Sequence, residues 1–437
     1  MIALSIMLAL FYLIALYYKR IYMGDSAEYI LEAVNIKDHF YFYSGSPSLP
    51  ATQEFLTLRP PLYPMFLALV YSFYLNNWLV IALQGLICMA NITIMRSTLS
   101  YLGYHKKYDP LLLLFILAYP IQFIYSYNIA SDILLQFFAI LYLRFGILLF
   151  VNNNLKYAIY MSLALIAGAF VKPIFYPLAL PHILLLIAFT LKLKLPRANL
   201  IIAVMLPIVA FMAYNYWNYA RTGKFHFSSI EAINSRYNTF EYINAKQGAQ
   251  QGQIYRNQLI QSINRIPSYK QRYDTSMQVS GNFIKSHFSS YAIFHLIHAA
   301  RIFIEPGKAE IDLFSHHLTD IDVRAVQTAN NGFYATIKQQ GWQGFSAYFN
   351  RNPTMPIILI IIVFNFLRLL GFILFMLNTN IKLIIRFFIA AFAILVALAA
   401  GPVANTHYFM PISLWFIGVS VLGWSSLLRK NKQTTLI

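Results

Sequence analysis

The chain has 437 residues, of which 59% are hydrophobic, 17% aromatic and 11% charged; ordinary soluble domains carry about 25% charged residues, so the composition excludes a soluble globular protein. The formal net charge is +18, yet the basic residues are scattered through short connectors and one long loop. That scatter argues for membrane topology and lipid phosphates as partners, and against nucleic acid. The one cysteine, Cys88, lies inside an apolar run, so the chain can form no internal disulfide and has no paired-cysteine metal site.

Apolar runs long enough to cross a hydrocarbon layer of ~30 Å recur along most of the sequence. The first covers residues 1–18 and lacks both a basic leading region and a small-residue cleavage site, so it reads as a retained span. Further spans are expected at 78–97, 110–128, 132–151, 156–172, 174–191, 200–219, 354–377, 382–400 and 408–427, which makes about ten in an all-α polytopic membrane protein. The segment 61–75 is apolar but short and is expected to lie at the interface.

With the N-terminus inside and 61–75 not crossing, Lys106, Lys107, Lys156, Lys192, Lys194, Arg197, Lys382, Arg386, Arg429, Lys430 and Lys432 all fall on the cytoplasmic side, as the positive-inside rule demands. Lys19 and Arg20 are the short basic pair that disagrees. This topology leaves two outer regions, 19–77 and 220–353, with a turn expected at 248–252 and a helix at 280–304. A loop as long as the second is uncommon without a function. No P-loop, dinucleotide fingerprint or internal repeat is present.

Several polar clusters fall on one membrane face. After the first span comes Gly24-Asp25-Ser26-Ala27-Glu28-Tyr29, where helical spacing places Asp25, Glu28 and Glu32 on one side; the alternative is that Asp25 merely caps the helix. In Leu58-Arg59-Pro60-Pro61-Leu62-Tyr63 the prolines rule out a regular helix and hold an arginine at the interface. Its planar fork suits bidentate bonds to phosphate oxygens, although an arginine there can also snorkel to headgroups. Asp132 follows Ser131 at the start of an apolar run, where the alternative is that one of the two caps the helix; Lys172-Pro173 separates two spans, and Asn405-Thr406-His407-Tyr408-Phe409-Met410-Pro411 enters the last one. Ionisable residues at such boundaries mark functional sites. His295 and His298, and the adjacent His316 and His317, lack a metalloprotease-type acid between them and read as surface or core histidines.

Taken in order, four motifs resemble those of the GT-C superfamily of polyprenyl-phosphate-dependent glycosyltransferases, bacterial protein O-mannosyltransferases and lipid A aminoarabinose transferases among them. They are Asp25 with Glu28 and Tyr29, Arg59 to Tyr63, Asp132, and Lys172-Pro173. The likeness covers roughly residues 1–230, with Arg221-Thr222-Gly223-Lys224-Phe225 and the His407 to Pro411 entry as weaker support.

It implies a seven-span core over 1–219 that includes the first outer loop 19–77, a large extracytoplasmic loop over 220–353, and C-terminal transmembrane helices over 354–437. It further implies inverting transfer of a sugar from a polyprenyl-phosphate donor to a glycan, lipid or protein hydroxyl, at the outer face of a bacterial inner membrane. By the resemblance Asp25 is the base. Arg59, Lys172, His407 and Tyr408 hold the donor phosphate, and Glu28, Tyr29, Tyr63 and Asp132 orient substrates. No metal ligands are assigned and a divalent metal is left open. Many relatives carry two adjacent acids where this chain has Asp25-Ser26, and an arginine where it has His407. The competing reading is a lipid flippase or transporter, which calls for ionisable residues deep in the spans; only Arg144 and Arg368 sit there.

Overall fold

A computed structural model describes residues 2–193, 197–315, 341–344, 346, 348–350, 352–403 and 405–433, and within them the chain is helical with no strand. His316 and His317 fall outside the described residues. In chain order the helices begin with α1 (Ile2–Tyr18), α2 (Ser26–His39), α3 (Leu62–Phe73), α4 (Asn77–Leu99), α5 (Asp109–Leu117), α6 (Ile121–Ser126), α7 (Asp132–Asn152), α8 (Lys156–Val171), α9 (Ala179–Leu193) and α10 (Arg197–Thr222). The outer region holds α11 (Ile230–Gln247), α12 (Ala249–Asn264), α13 (Tyr269–Ser286), α14 (Phe288–Arg301) and α15 (Lys308–Phe314). Then come α16 (Met355–Leu377), α17 (Leu383–Ala400) and α18 (Thr406–Gln433).

Among the described residues six helical stretches are long and apolar enough to cross a membrane: 77–102, 132–152, 198–222, 355–377, 383–403 and 406–427. Each coincides with an expected span. The expected spans at 1–18, 156–172 and 174–191 are shorter apolar helices, the last beginning as a 3-10 turn at Pro173–Leu178. The segment 61–75 forms the twelve-residue α3, about 18 Å long at 1.5 Å per residue and too short to cross.

The expected continuous span at 110–128 is broken. Helix α5 ends at Leu117, and Pro120, which has no N–H to donate, precedes α6. The carbonyl left free near the break is occupied by the buried Arg368 of α16, whose guanidinium donates to Phe115 O at 2.8 Å and lies 5.0 Å over the Tyr119 ring. A cation at a helix C-terminus complements its dipole, so this intramembrane arginine has a structural partner. The expected helix at 280–304 is likewise two helices, α13 and α14, parted at His287. The expected turn at 248–252 shrinks to Gly248, which takes φ +92; helix α12 starts immediately after it.

Helix α18 runs through the middle of the bundle, with 83% of its apolar stretch buried against 28% for α10 and α16; the latter two therefore leave most of their apolar surface uncovered by the rest of the protein. Small residues let α18 and α16 touch: a Cβ added to Gly423 would lie 2.0 Å from Gly371 O, the kind of close helix approach that glycine permits in membranes. Between α4, α6, α7 and α18 the apolar interior holds a ring of amides. Gln122 and Gln136 exchange bonds at 2.9 Å, Asn91 donates to Gln136 at 3.1 Å, and Gln136 donates to Met410 O at 2.7 Å. Buried amides bonded to one another this way fix helix register at no charge cost. At one end of the bundle the connectors 101–108 and 377–382 surround a common cavity with the end of α18. The cluster described next lies at the other.

Candidate active site at one end of the bundle

Five stretches of chain far apart in sequence meet here: the start of α2, the Arg59-Pro60-Pro61 turn, the 127–132 segment, the α8 end at Lys172, and the start of α18. Backbone bonds set the frame. Ile129 N donates to Ile21 O at 2.7 Å, and Ser26 Oγ donates to Ile129 O at 2.7 Å while accepting from Met23 N. Asp25 occupies the N-cap position of α2 but makes no side-chain cap bond, which sets aside the reading that it serves only as a cap.

Its carboxylate instead faces Arg59, with Asp25 Oδ1 and Oδ2 2.9 and 3.1 Å from the guanidinium. The same guanidinium donates to Glu28 from Nε at 3.1 Å and again from Nη2. Arg59 is 9% exposed and Asp25 48%, so the cation is sealed behind an acid that still reaches solvent. Arg59 also lies 4.9 Å over the Tyr29 ring, a cation–π contact. Burial pushes the Asp25 carboxyl up, but the Arg59 charge, with Lys172 behind it, outweighs burial and holds the group below the ordinary aspartate value. Asp25 is therefore ionised at neutral pH.

Asp132 and Lys172 form a second pair, 2.9 Å apart, with side chains 4% and 11% exposed. One of the three lysine N–H groups serves this bond, and the ammonium sits 5.8 Å over the Tyr408 ring. The Tyr408 and His407 rings are 3.9 Å apart. Tyr29 and Tyr63 pack edge to face at 4.8 Å, and each is anchored: Tyr29 OH to Ser131 Oγ at 2.9 Å, and Tyr63 OH to Gln84 at 2.7 Å. All nine residues singled out in the sequence thus belong to this end of the bundle. Ser26 and Ser131, which help to position them, stand in the motifs quoted from the sequence, although Ser131 makes no side-chain cap bond at the start of α7; Gln84 is the positioning residue those motifs miss, and its signal is an amide inside an otherwise apolar run.

Glu32, expected on the same helix side as Asp25 and Glu28, does not join their ion pair. It is buried against the loop, accepting from Ser44 Oγ at 2.8 Å. Burial pushes its carboxyl up to about 8, against the Ser44 bond and the Arg221 charge. A raised acid contributes stability that is complete below its ordinary value of 4.5 and is lost as pH rises through about 8. Glu32→Gln should accordingly leave the unfolding temperature at pH 4 unchanged and raise it at pH 9 by roughly 3 °C or more; an equal shift at both values would contradict a protonated Glu32.

The outer helices dock on the first loop through His226. Its Nδ1 lies 2.8 Å from Lys224 O and so carries the proton, leaving Nε2 to accept from Thr57 Oγ1 at 2.9 Å and Tyr269 OH at 3.0 Å. Burial, with the nearby Lys224 and Arg221 charges, holds this ring below the ordinary histidine value of 6.5. Its contribution is complete above 6.5 and is lost as pH falls below it, because the unfolded ring takes up the proton first. Protection of the amides in 55–58 and 226–229 against hydrogen exchange, taken relative to the intrinsic rate at each pH, is expected to fall from pH 7.5 to pH 5, and His226→Gln to abolish the difference.

Among the described residues no three His, Cys, Asp or Glu side chains gather as a metal-ligand set; Asp25 and Glu28 do converge, but around Arg59. His295 Nε2 and His298 Nδ1 each donate to a backbone carbonyl, Leu398 O and Phe294 O respectively. Comparison of the chain with protein-family models, with curated proteins and with solved structures finds no match. Fold and site define, over the described residues, a helical protein with membrane-length apolar helices and a charged, partly open cluster at one end of them.

Proposed function

We propose that the chain is a membrane glycosyltransferase of GT-C type, with about ten crossings, that moves a sugar from a polyprenyl-phosphate donor to a glycan, lipid or protein hydroxyl. In this reading 1–219 forms the core, 220–353 covers the acceptor and 354–437 completes the bundle. The protein resides in a bacterial inner membrane with its active site on the extracytoplasmic face. The basic connectors then lie in the cytoplasm, at the end opposite the cluster. The observation that carries the reading is the pairing of an ionised, half-exposed Asp25 with a separate buried cation, Lys172, that keeps two N–H groups for a ligand.

The chemistry follows from those two groups. The acceptor oxygen attacks the anomeric carbon from the face opposite the phosphate, the glycosidic C–O bond to phosphate breaks, and its electron pair leaves with the polyprenyl phosphate. Asp25 accepts the hydroxyl proton. Because Arg59 depresses its basicity, that transfer comes late, as the new C–O bond makes the oxygen acidic. Lys172 stabilises the charge growing on the phosphate, with His407 and Tyr408 beside it. Arg59 is already held by Asp25 and Glu28, so it orients the two acids and reaches a phosphate only if one lets go. Glu28, Tyr29, Tyr63 and Asp132 keep these groups in place. No step is routed through a metal.

The test is transfer of radiolabelled sugar from polyprenyl-phosphate donors to a cell-envelope acceptor extract by the full chain in proteoliposomes. Labelled product retaining none of the lipid supports the reading. Labelled donor that crosses the bilayer without product would replace it by a flippase.

A further inference from the structure

Outside the charged cluster, a cavity of about 210 Å³ opens between α11, α12, α13 and the 3-10 turn Gln53–Leu56. Its walls are of two kinds. Phe240, Tyr269 and Tyr273, with Ile260 and Ile263, present rings and apolar surface. Glu54, Arg236 and Asn264 present polar groups.

Those polar groups are uncommitted. Among the described residues the side chains of Glu54, Arg236 and Asn264 have no hydrogen-bond partner in the protein, and the Arg236 and Glu54 charges attract without forming an ion pair. By contrast the neighbouring polar groups are occupied: Arg272 Nη1 donates to Ile266 O and Pro267 O, Tyr269 OH bonds His226, and Tyr273 OH donates to Glu231. The cavity therefore offers a fork of donors, an acceptor-only carboxylate and an amide that does both, set against aromatic rings.

A phosphate fits poorly, because Glu54 would repel it. An apolar chain fits poorly too, because it would strand a guanidinium and a carboxylate without partners. A pyranose satisfies both walls: its hydroxyls donate to Glu54 and accept from Arg236, and its C–H face lies on the rings. The place also suits a substrate. Ser229 Oγ donates to Glu54 O at 2.9 Å and Ser228 Oγ to Leu58 O at 3.1 Å, so the cavity floor is clamped to the strand of chain that ends at Arg59. Five residues of fully extended chain bound the separation of Glu54 and Arg59 at about 18 Å.

We propose that this cavity is a saccharide-binding subsite that holds one sugar ring of the acceptor, set back from the reacting end, with Arg236, Glu54 and Asn264 reading its hydroxyls. Its role as an acceptor subsite rests on the transferase reading above; saccharide binding itself does not.

The test is saturation-transfer NMR on the full chain in nanodiscs with neutral manno-, gluco-, galacto- and N-acetylglucosamine oligosaccharides and a uronate oligosaccharide, for the native protein, Arg236→Met and Asn264→Leu. At least one saccharide is expected to bind, and each variant to weaken it about tenfold or more, the loss of a bidentate or amide contact. Unchanged melting temperature of both variants keeps a folding defect out of the result. No binding by any saccharide, or binding equal in all three proteins, overturns the proposal. With an acceptor carrying the bound sugar, Arg236→Met should raise KM and leave kcat unchanged. Saccharide binding without transfer from any donor would sink the transferase reading and leave the subsite standing.

Discussion

Asp25→Asn is expected to lower sugar transfer by about 10²- to 10⁴-fold, the usual loss when a positioned base is removed, while donor affinity stays unchanged. The substitution keeps the shape of the side chain, and Arg59 retains Glu28 through two of its nitrogens, so the turn at Pro60-Pro61 should hold its place. What disappears is a carboxylate that is ionised at neutral pH and half open to an incoming hydroxyl. A rate equal to that of the native protein would remove Asp25 from the reaction. A loss confined to KM would make it a binding group only.

The second large effect belongs to Asp132 and Lys172. Removing either partner of a buried ion pair leaves an uncompensated charge and costs about 3–5 kcal/mol, so Asp132→Leu and Lys172→Met should each lower the unfolding temperature clearly. The double substitution replaces the pair by apolar groups of similar length and should recover most of that stability. It should not recover transfer, which is expected to stay about 10²- to 10³-fold down for want of the cation at the leaving phosphate. Recovery of both would reduce the pair to a structural pin; calorimetry and the transfer assay on the three variants decide between these outcomes.

The helical spans were legible wherever apolar length alone decides, and all six membrane-length helices stand where the sequence placed them. The breaks were harder to read. Pro120 sits in an apolar run whose hydropathy continues across it, and what makes the break tolerable is Arg368, 248 positions further on. At His287 no proline or glycine announces the interruption between α13 and α14. The motifs around Asp25, Arg59, Asp132, Lys172 and His407 were legible as boundary charges in apolar sequence. Their pairing was not: nothing local says that Arg59 will take two acids, that Asp132 will keep Lys172, or that Glu32 will turn away from its neighbours to Ser44. Such choices depend on which backbone segments meet, and the amides and serines that fix those meetings look like ordinary polar residues in a linear string.

The way the outer segments are tied down has a consequence for how this sequence can drift. Ser26 donates to the carbonyl of Ile129, Asn35 to those of Tyr43 and Gly45, Ser228 to that of Leu58, Asn218 to those of His226 and Phe227, and Gln84 to that of Asn128. Every one of these ties joins a particular side chain to a group that all residues possess. Mutational tolerance is therefore lopsided: as far as these ties are concerned, the accepting positions are free to change identity, whereas each donor is irreplaceable by any residue that cannot offer the same hydrogen at the same reach.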